Sequence, residues 1–440
     1  MTTYVKEQAA SEVAASNGNA DLGAYNPAWD VALKYFQQNP QDDIGAIQTV
    51  YSSMLPPASL TLLATVIGAI YADTYWTGTQ LDPNHLSASL QQAEGFNKAD
   101  CDKAAQVAFS QWYGLLVRDN FASNGLIPKP TVGGVTLSPD VLCNAAGPLL
   151  PNQLLTMWNS YFFNGSTGTK SFCYGRAQSV NIPLPITQPK LQMFFTDAGF
   201  LPPPNSWIQM FTFGGSTTAP MQGIQSGPIT PQGGRAANGV AGSGDAFNFQ
   251  PQGAGHYCLI AVASTEFFTN NPLESTGNWD SMTWLLNNGA AGWHNIDVQT
   301  NDEEVLKFYN QDGRPERFVF EAHCANVPAG TKVSLRSTGG GLVSNVESGD
   351  VKIYKGHQVV RAEGVAPANY TGELVIKIDT PDSKLLPAGA SVQVRKLWAL
   401  EQGHTHYAQA VEFLRAHREA SQGQTLLVPM GDYTFVGAAE

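Results

Sequence analysis

The chain has 440 residues, of which 43% are hydrophobic and only 14% charged, against about 25% charged in an ordinary soluble domain. That length allows two or three folding units with a full core, and 43 glycines and 27 prolines without a Gly-X-Y period exclude collagen and favour loop-rich β structure. The 24 basic against 36 acidic side chains, a formal charge of -12, have the wrong sign for a surface that neutralises phosphates, which argues against nucleic acid as a partner.

The charge is unevenly spread. Residues 1–120 carry 5 basic and 12 acidic side chains, residues 121–300 carry 5 and 7, and residues 301–440 carry 14 and 17. The deficit therefore belongs to the middle segment, where Asn, Gln, Ser, Thr and Gly must supply solubility. Cys101, Cys143, Cys173, Cys258 and Cys324 are widely spaced and form no C-x-x-C pair, so they read as free thiols, neither a disulfide framework nor a zinc knuckle. The N-terminus MTTYVKEQAASEVAASNGNADLG has no apolar core of a signal peptide. Cytoplasmic synthesis is expected, with release or surface assembly by another route left open.

The first 120 residues read as four helices. Asn26-Pro27 is a start signal, Trp29, Leu33 and Phe36 share a face, and Asn39-Pro40 stops the run. A second helix runs from Asp43 to Pro56-Pro57, with Ile44, Ile47, Val50, Tyr51 and Met54 on one side. Ser59 is placed to cap the third, the apolar run Leu60 to Ala72. That run is too short for the roughly 20 residues of a membrane span, so a buried helix is expected. The fourth starts near Asn97, where Ala104, Ala108, Trp112 and Leu115 or Leu116 recur at helical spacing.

From residue 121 the period changes. One helical segment fits 152–163, and short runs at Val180 to Ile182, Leu191 to Phe195 and Trp207 to Phe213 read as strands of a β-sandwich. Residues Gly214 to Gly255 hold 11 glycines, four prolines and two charges, too long for a loop inside a compact domain. They read as an arm that a partner orders or as a linker. A strand apolar on both faces follows from His256 to Ala263.

Within that strand, Gly255-His256-Tyr257-Cys258-Leu259-Ile260-Ala261 fits G-x-Y-x-L-x-A, and Asn287-Asn288 precede the strand-like Ile296 to Val298. This pattern resembles immunoglobulin-like, CARDB-type modules of bacterial surface proteins. The segment Thr265 to Leu286 departs from those modules, being long and rich in Trp and Phe where they have a short acidic turn. The resemblance implies a structural or adhesive sandwich and carries over no catalytic residue. Residues 303–440 then read as a second sandwich: Phe318, Phe320, Ala322 and Cys324 alternate with Arg317, Glu321 and His323. Val333 and Leu335, Leu374 to Ile378, Val392 and Val394, and a last strand Asp432 to Val436 repeat that period, with a helical insert at 406–420.

The search for catalytic chemistry finds neither a G-x-S-x-G elbow nor H-E-x-x-H. Gly165 to Ser171 approaches a phosphate loop, but Thr169 stands between its last Gly and Lys170, where a Walker loop needs them adjacent. His404 and His406 would share a face on a strand and could bind a metal, with His417 further along a helix, yet Glu401 alone stands near them in sequence. A solvated junction is the reading taken, and His256, His323 and His357 read as structural. Asp42-Asp43 fits a helix start and Glu303-Glu304 a junction. Neither supplies the acid and base of a hydrolase.

The aromatics Phe267, Phe268, Trp279, Trp284 and Trp293 cluster in a region dense in Asn and Gly, whereas Trp207 stands alone on its strand. Aromatic planes flanked by amides serve sugar faces, and aromatic anchors with depleted charge serve subunit contacts. The expectation is a multidomain α+β chain: a helical region 1–120, a charge-poor β-sandwich 121–300 with a Gly-rich arm 214–255, and a second immunoglobulin-like sandwich 303–440. Its expected role is a non-enzymatic structural subunit that assembles with copies of itself into a fibre, sheath or coat, using no cofactor or metal and no membrane span. Those five aromatics are the expected ligand or subunit contacts; a glycan-binding adhesin or surface-recognition module is the alternative, and a hydrolase whose two carboxylates lie far apart in sequence is a third reading.

Overall fold

A computed structural model describes the chain from residue 22 to 437, except for 54–59, 73–81, 130–134, 159–162, 165–169, 181–185, 224–238, 251–256, 266–269, 273–283, 414–424 and a few shorter stretches. The expected cap Ser59 and strand residues Asn181 and Ile182 lie outside the described residues. The architecture is α+β, with a helical N-terminal region followed by mostly antiparallel sheets.

The helices are α1 (Leu22–Gln38), α2 (Asp43–Ser53), α3 (Leu60–Ala72), α4 (Pro83–Glu94) and α5 (Lys98–Phe109). The expected stripes face inward: Trp29, Phe36, Ile47, Val50, Leu63 and Ile67 belong to one helical core. Among the described residues no helix is long and apolar enough to cross a membrane. Helix α4 is an addition to the four expected. Asp82 caps it by accepting from the His85 amide, Pro83 fills its first turn, and Gly95 at φ 69° closes it with its N–H on the Gln91 carbonyl. Asn97 starts α5 by accepting from the amides of Ala99 and Asp100. Helix α5 does not run on to Leu116, because the Ser110 amide turns back to the Val107 carbonyl and Gly114 takes φ 121°.

Strands and a helix fill the middle. They are β1 (Gly114–Leu116), β2 (Val141–Asn144), α6 (Pro151–Thr156), β3 (Phe163–Asn164), β4 (Ser171–Val180) and β5 (Lys190–Asp197). After them come β6 (Ile208–Gln209), β7 (Ala219–Gly223), β8 (Val240–Ser243), β9 (Phe247–Phe249), β10 (Tyr257–Ser264) and β11 (Ala291–His294). Of the expected helix 152–163 the described residues show α6, ending at Thr156, and Phe163 in a strand, while residues 159–162 lie outside them; the expected strand Trp207 to Phe213 keeps only Ile208 and Gln209 on the ladder to β5. These strands form one 11-stranded sheet, ordered β11-β10-β5-β7-β8-β4-β2-β3 with β1 and β9 also on β4 and β6 on β5.

The sheet folds over itself, close to a barrel. The two halves of β4 hold different partners, β2 and β9 at one end and β1 and β8 at the other. Gly175 lets β4 approach the facing layer: a Cβ there would stand 2.5 Å from Leu191 Cδ2 and 3.3 Å from Ala261 Cβ. The Gly-rich segment is in part the chain's own sheet, since β7 bridges β5 to β8 while β8 and β9 pair with β4.

The C-terminal strands are β12 (Ile296–Val298), β13 (Glu303–Asn310), β14 (Glu316–Ala325), β15 (Lys332–Ser337) and β16 (Val346–Glu347). The rest are β17 (Val351–Lys352), β18 (His357–Ala366), β19 (Tyr370–Asp379), β20 (Ser391–Glu401), helix α7 (Tyr407–Phe413) and β21 (Thr425–Val436). One five-stranded sheet runs β12-β21-β20-β14-β18 and the other β13-β19-β15-β16, with β17 on β15. They share a core in which Phe308 of one sheet meets Phe320 of the other edge-on at 5.1 Å. Alternation on β14 is as expected, with Phe318, Phe320, Ala322 and Cys324 buried. The last strand begins at Thr425, earlier than the expected Asp432. The same core continues into Phe194, Ile260 and Trp293 of the middle sheet, so β10 buries one face inside its own sheet and the other against the C-terminal layers.

Candidate functional site

The aromatics marked in the sequence divide sharply. Trp293 on β11 is 0% exposed, stands edge-on to Trp207 at 5.2 Å, and donates its indole N–H to Asn295 Oδ1. Trp284 is half-buried and tilted against Trp207 at 5.9 Å, and Phe194 closes the cluster at 5.8 Å. Trp207, which looks solitary in the sequence, is therefore the centre of a core cluster between the middle sheet and the C-terminal layers. Trp293 serves that core and offers a partner no face. Phe267, Phe268 and Trp279 lie outside the described residues.

Exposed apolar side chains gather elsewhere in the charge-poor segment. Ile208, Phe211 and Phe213 are 55%, 52% and 40% exposed. The chain here threads between β5 and β9: the Met210 amide donates to Met193 O, the Phe213 amide to Ala246 O, and the Asn248 amide to Phe211 O. Its backbone is thus tied to both neighbours, with Met210 and Thr212 buried and Ile208, Phe211 and Phe213 left partly open to solvent. Phe213 stacks on Phe172 at 4.6 Å and 18°, with Lys170 Nζ 4.2 Å from its ring centroid. Lys170 of the phosphate-loop look-alike is therefore spent on an aromatic ring, and Gly165 to Thr169 lie outside the described residues.

His404 and His406 acquire neighbours that no local spacing reveals. His404 Nε2 stands 2.9 Å from Glu316 Oε1, and His406 Nε2 stands 3.3 Å from Asp312 Oδ2. Asp312, Glu316 and His404 bring ligand atoms within 4.8 Å of one another. The chemistry of the set nonetheless suits hydrogen bonding better than metal binding. The His406 amide donates to His404 Nδ1 at 3.1 Å, so the neutral ring carries its proton on Nε2 and donates it to Glu316. Trp398 Nε1 donates to the other Glu316 oxygen at 2.8 Å, and Arg314 Nε lies 3.5 Å from Asp312 and 3.7 Å from Glu316. The cation of this site is an arginine. The group ties the segment before β14 to the turn before α7. Glu401, the nearby carboxylate in sequence, instead meets Arg317 and Thr425. His256 and His417 lie outside the described residues, while His323 meets Glu321 at 3.1 Å.

A third group is buried charge. Asp140 receives Arg118 through two bonds of 3.0 and 2.6 Å, and Arg118 also lies 3.5 Å from the Trp158 ring centroid. Arg176, fully buried, comes within 3.5 Å of Asp140. Lys129 Nζ meets Asp119 Oδ1 at 2.8 Å with neither side chain open to solvent. Burial pushes the Asp119 carboxyl up to about 7 and the Lys129 amine down, each partly offset by the other's charge. Asp432 accepts from the amides of Val135 and Thr136 and from the side chains of Thr136 and Gln393. These charges hold Arg118, Asp119, Lys129, Val135, Thr136 and Asp140 in buried contacts, and among the described residues none of these groups faces solvent. The paired acids noted in the sequence are likewise structural: Asp42 accepts from the Gly45 amide, Asp43 pairs with His85, and Glu304 is buried on β13.

No protein-family model matches this chain, and no curated protein matches it either.

Proposed function

We propose that the chain is a non-enzymatic structural subunit that associates with copies of itself, into a fibre, sheath or coat, through the ledge formed by Ile208, Phe211 and Phe213. The observation that carries this reading is the placement of three half-exposed apolar side chains within the segment that has least charge. Covering the half of each side chain that is still exposed contributes roughly 1 kcal/mol apiece, and a contact with few charges to desolvate loses little of it. In this reading the two five-stranded sheets are an immunoglobulin-like sandwich that holds the ledge on a rigid base. The glycan-binding alternative is weaker, because Trp293, one of its expected aromatic planes, is enclosed in the core.

Size-exclusion chromatography with light scattering, followed by electron microscopy of the same fractions, tests the proposal. Assemblies of regular form are expected in the native chain, and Phe211→Asp with Ile208→Asp should dissolve them while leaving circular dichroism unchanged. Assembly that persists in that double variant would assign the contact to another surface.

A further inference from the structure

Cys143 on β2 and Cys173 on β4 stand directly opposite each other in antiparallel register. Residues opposed in this way have Cα atoms about 4.5 or 5.5 Å apart, depending on their place in the ladder. Both separations lie inside the range of about 4.4–6.8 Å that a disulfide bridges. Strand alternation sends the two side chains to the same face, and both are buried inside the folded-over sheet with Leu191, Met193 and Ala261. Burial raises the Cys173 thiol well above its ordinary pKa, and a hydrogen bond with Cys143 adds to the effect. Cys101 lies in the helical core, and Cys258 and Cys324 lie in the core shared with the C-terminal layers. The pairing is therefore specific to these two sulfurs.

We infer that Cys143 and Cys173 are an oxidisable pair that forms a cross-strand disulfide, which the native separation of β2 and β4 accommodates. With a small-molecule disulfide such as oxidised glutathione as oxidant, the thiolate of one cysteine attacks it and releases one glutathione thiolate, leaving a mixed disulfide. The thiolate of the other cysteine then displaces the second glutathione. Two protons leave the protein thiols, one S–S bond forms in the protein, and the two electrons reduce the glutathione disulfide. The raised pKa of the Cys173 thiol keeps the dithiol slow to react while β2 and β4 stay paired. Reaction proceeds through local opening of the four-residue strand β2. The cross-link then ties β2 to β4 around α6 and β3, in an apolar core that hinders reductants from reaching it.

Peptide mapping tests this on the full chain. Reduced protein is incubated with oxidised glutathione at about pH 8.5, where thiolate forms, both in buffer and in urea below the unfolding transition so that access to the sulfurs is not limiting. It is then alkylated after denaturation and digested. The expected result is a fall from five alkylatable thiols to three, an intact mass lower by about 2 Da before alkylation, and one cross-linked peptide pair joining Cys143 to Cys173. Cys143→Ser and Cys173→Ser should each abolish that product, whereas Cys101→Ser should leave it intact. Retention of all five thiols in both conditions, glutathione adducts alone, or pairing of either cysteine with Cys101, Cys258 or Cys324 would overturn the inference.

Discussion

Lys396 is a charge placed against the logic of its surroundings, and replacing it by methionine should stabilise the protein in a pH-dependent way. It sits where β20 and β21 slip register, on the core side of the strand between Val394 and Trp398. Its side chain is fully buried, with Nζ on the Tyr309 carbonyl and 4.4 Å from the Phe318 ring centroid. Burial lowers its pKa from 10.5 to about 7. Below pH 7 the folded and unfolded chains are both charged there, and the fold bears the whole cost of the buried ammonium. From 7 towards 10.5 only the unfolded chain keeps the proton, so stability rises with pH across that window. A displacement of about 3.5 pH units corresponds to about 5 kcal/mol, an upper bound because the surroundings of a buried charge relax. Lys396→Met keeps the length of the stem and loses the bond to Tyr309, worth roughly 1–3 kcal/mol. The variant should therefore be about 2 kcal/mol more stable near pH 6, with the advantage shrinking as the pH approaches about 10. Urea unfolding of both proteins at several pH values measures the difference. A variant less stable near pH 6, or a difference independent of pH, would refute the reasoning.

Other substitutions test the remaining joints. Asp432→Ala strands the amides of Val135 and Thr136 and the Gln393 side chain, and should cost about 3 kcal/mol by urea unfolding. Burial lowers His294 from 6.5 to about 4, partly offset by its bond to the Ser138 carbonyl. The unfolded chain then binds the extra proton between those values, so stability should fall by up to about 3 kcal/mol as pH drops from 6.5 to 4. His294→Gln should flatten that slope in the same titration. Gly431 has φ 122°, and a Cβ there would stand 3.0 Å from the Phe200 carbonyl carbon. Gly431→Ala should lower the thermal midpoint, at a cost of roughly 1–3 kcal/mol.

The fold was legible where one face of an element is strongly apolar. The stripes of α1 and α2, the run of α3, and the alternation of β14 and β20 all follow from such patterns. Helix α4 escaped although Asp82, Pro83 and Gly95 carry cap signals, because Ser87 and Ser89 occupy its buried face beside Leu86 and Leu90. The opposite error arose after Phe109, where Trp112 and Leu115 continue a helical period but Gly114 breaks the backbone. Strand β8 could not be seen in Val-Ala-Gly-Ser. Its Gly242 is closely packed, since a Cβ would stand 3.1 Å from Leu154 Cδ1 of α6. The site residues were least legible. Glu316 reaches His404 across 88 positions, and Cys143 meets Cys173 only through strand register, so neither grouping leaves a mark in local spacing. The exposed ledge lay inside the expected strand Trp207 to Phe213, whereas Trp284 and Trp293, which look like a surface in sequence, fill the core.

Light scattering of the purified native chain across a wide concentration range tests the central claim most directly. The mass should exceed that of the 47.2 kDa monomer and grow with concentration, and Phe211→Asp with Ile208→Asp should return it to the monomer value. A native chain that stays at the monomer mass at the highest concentration reached would contradict the account.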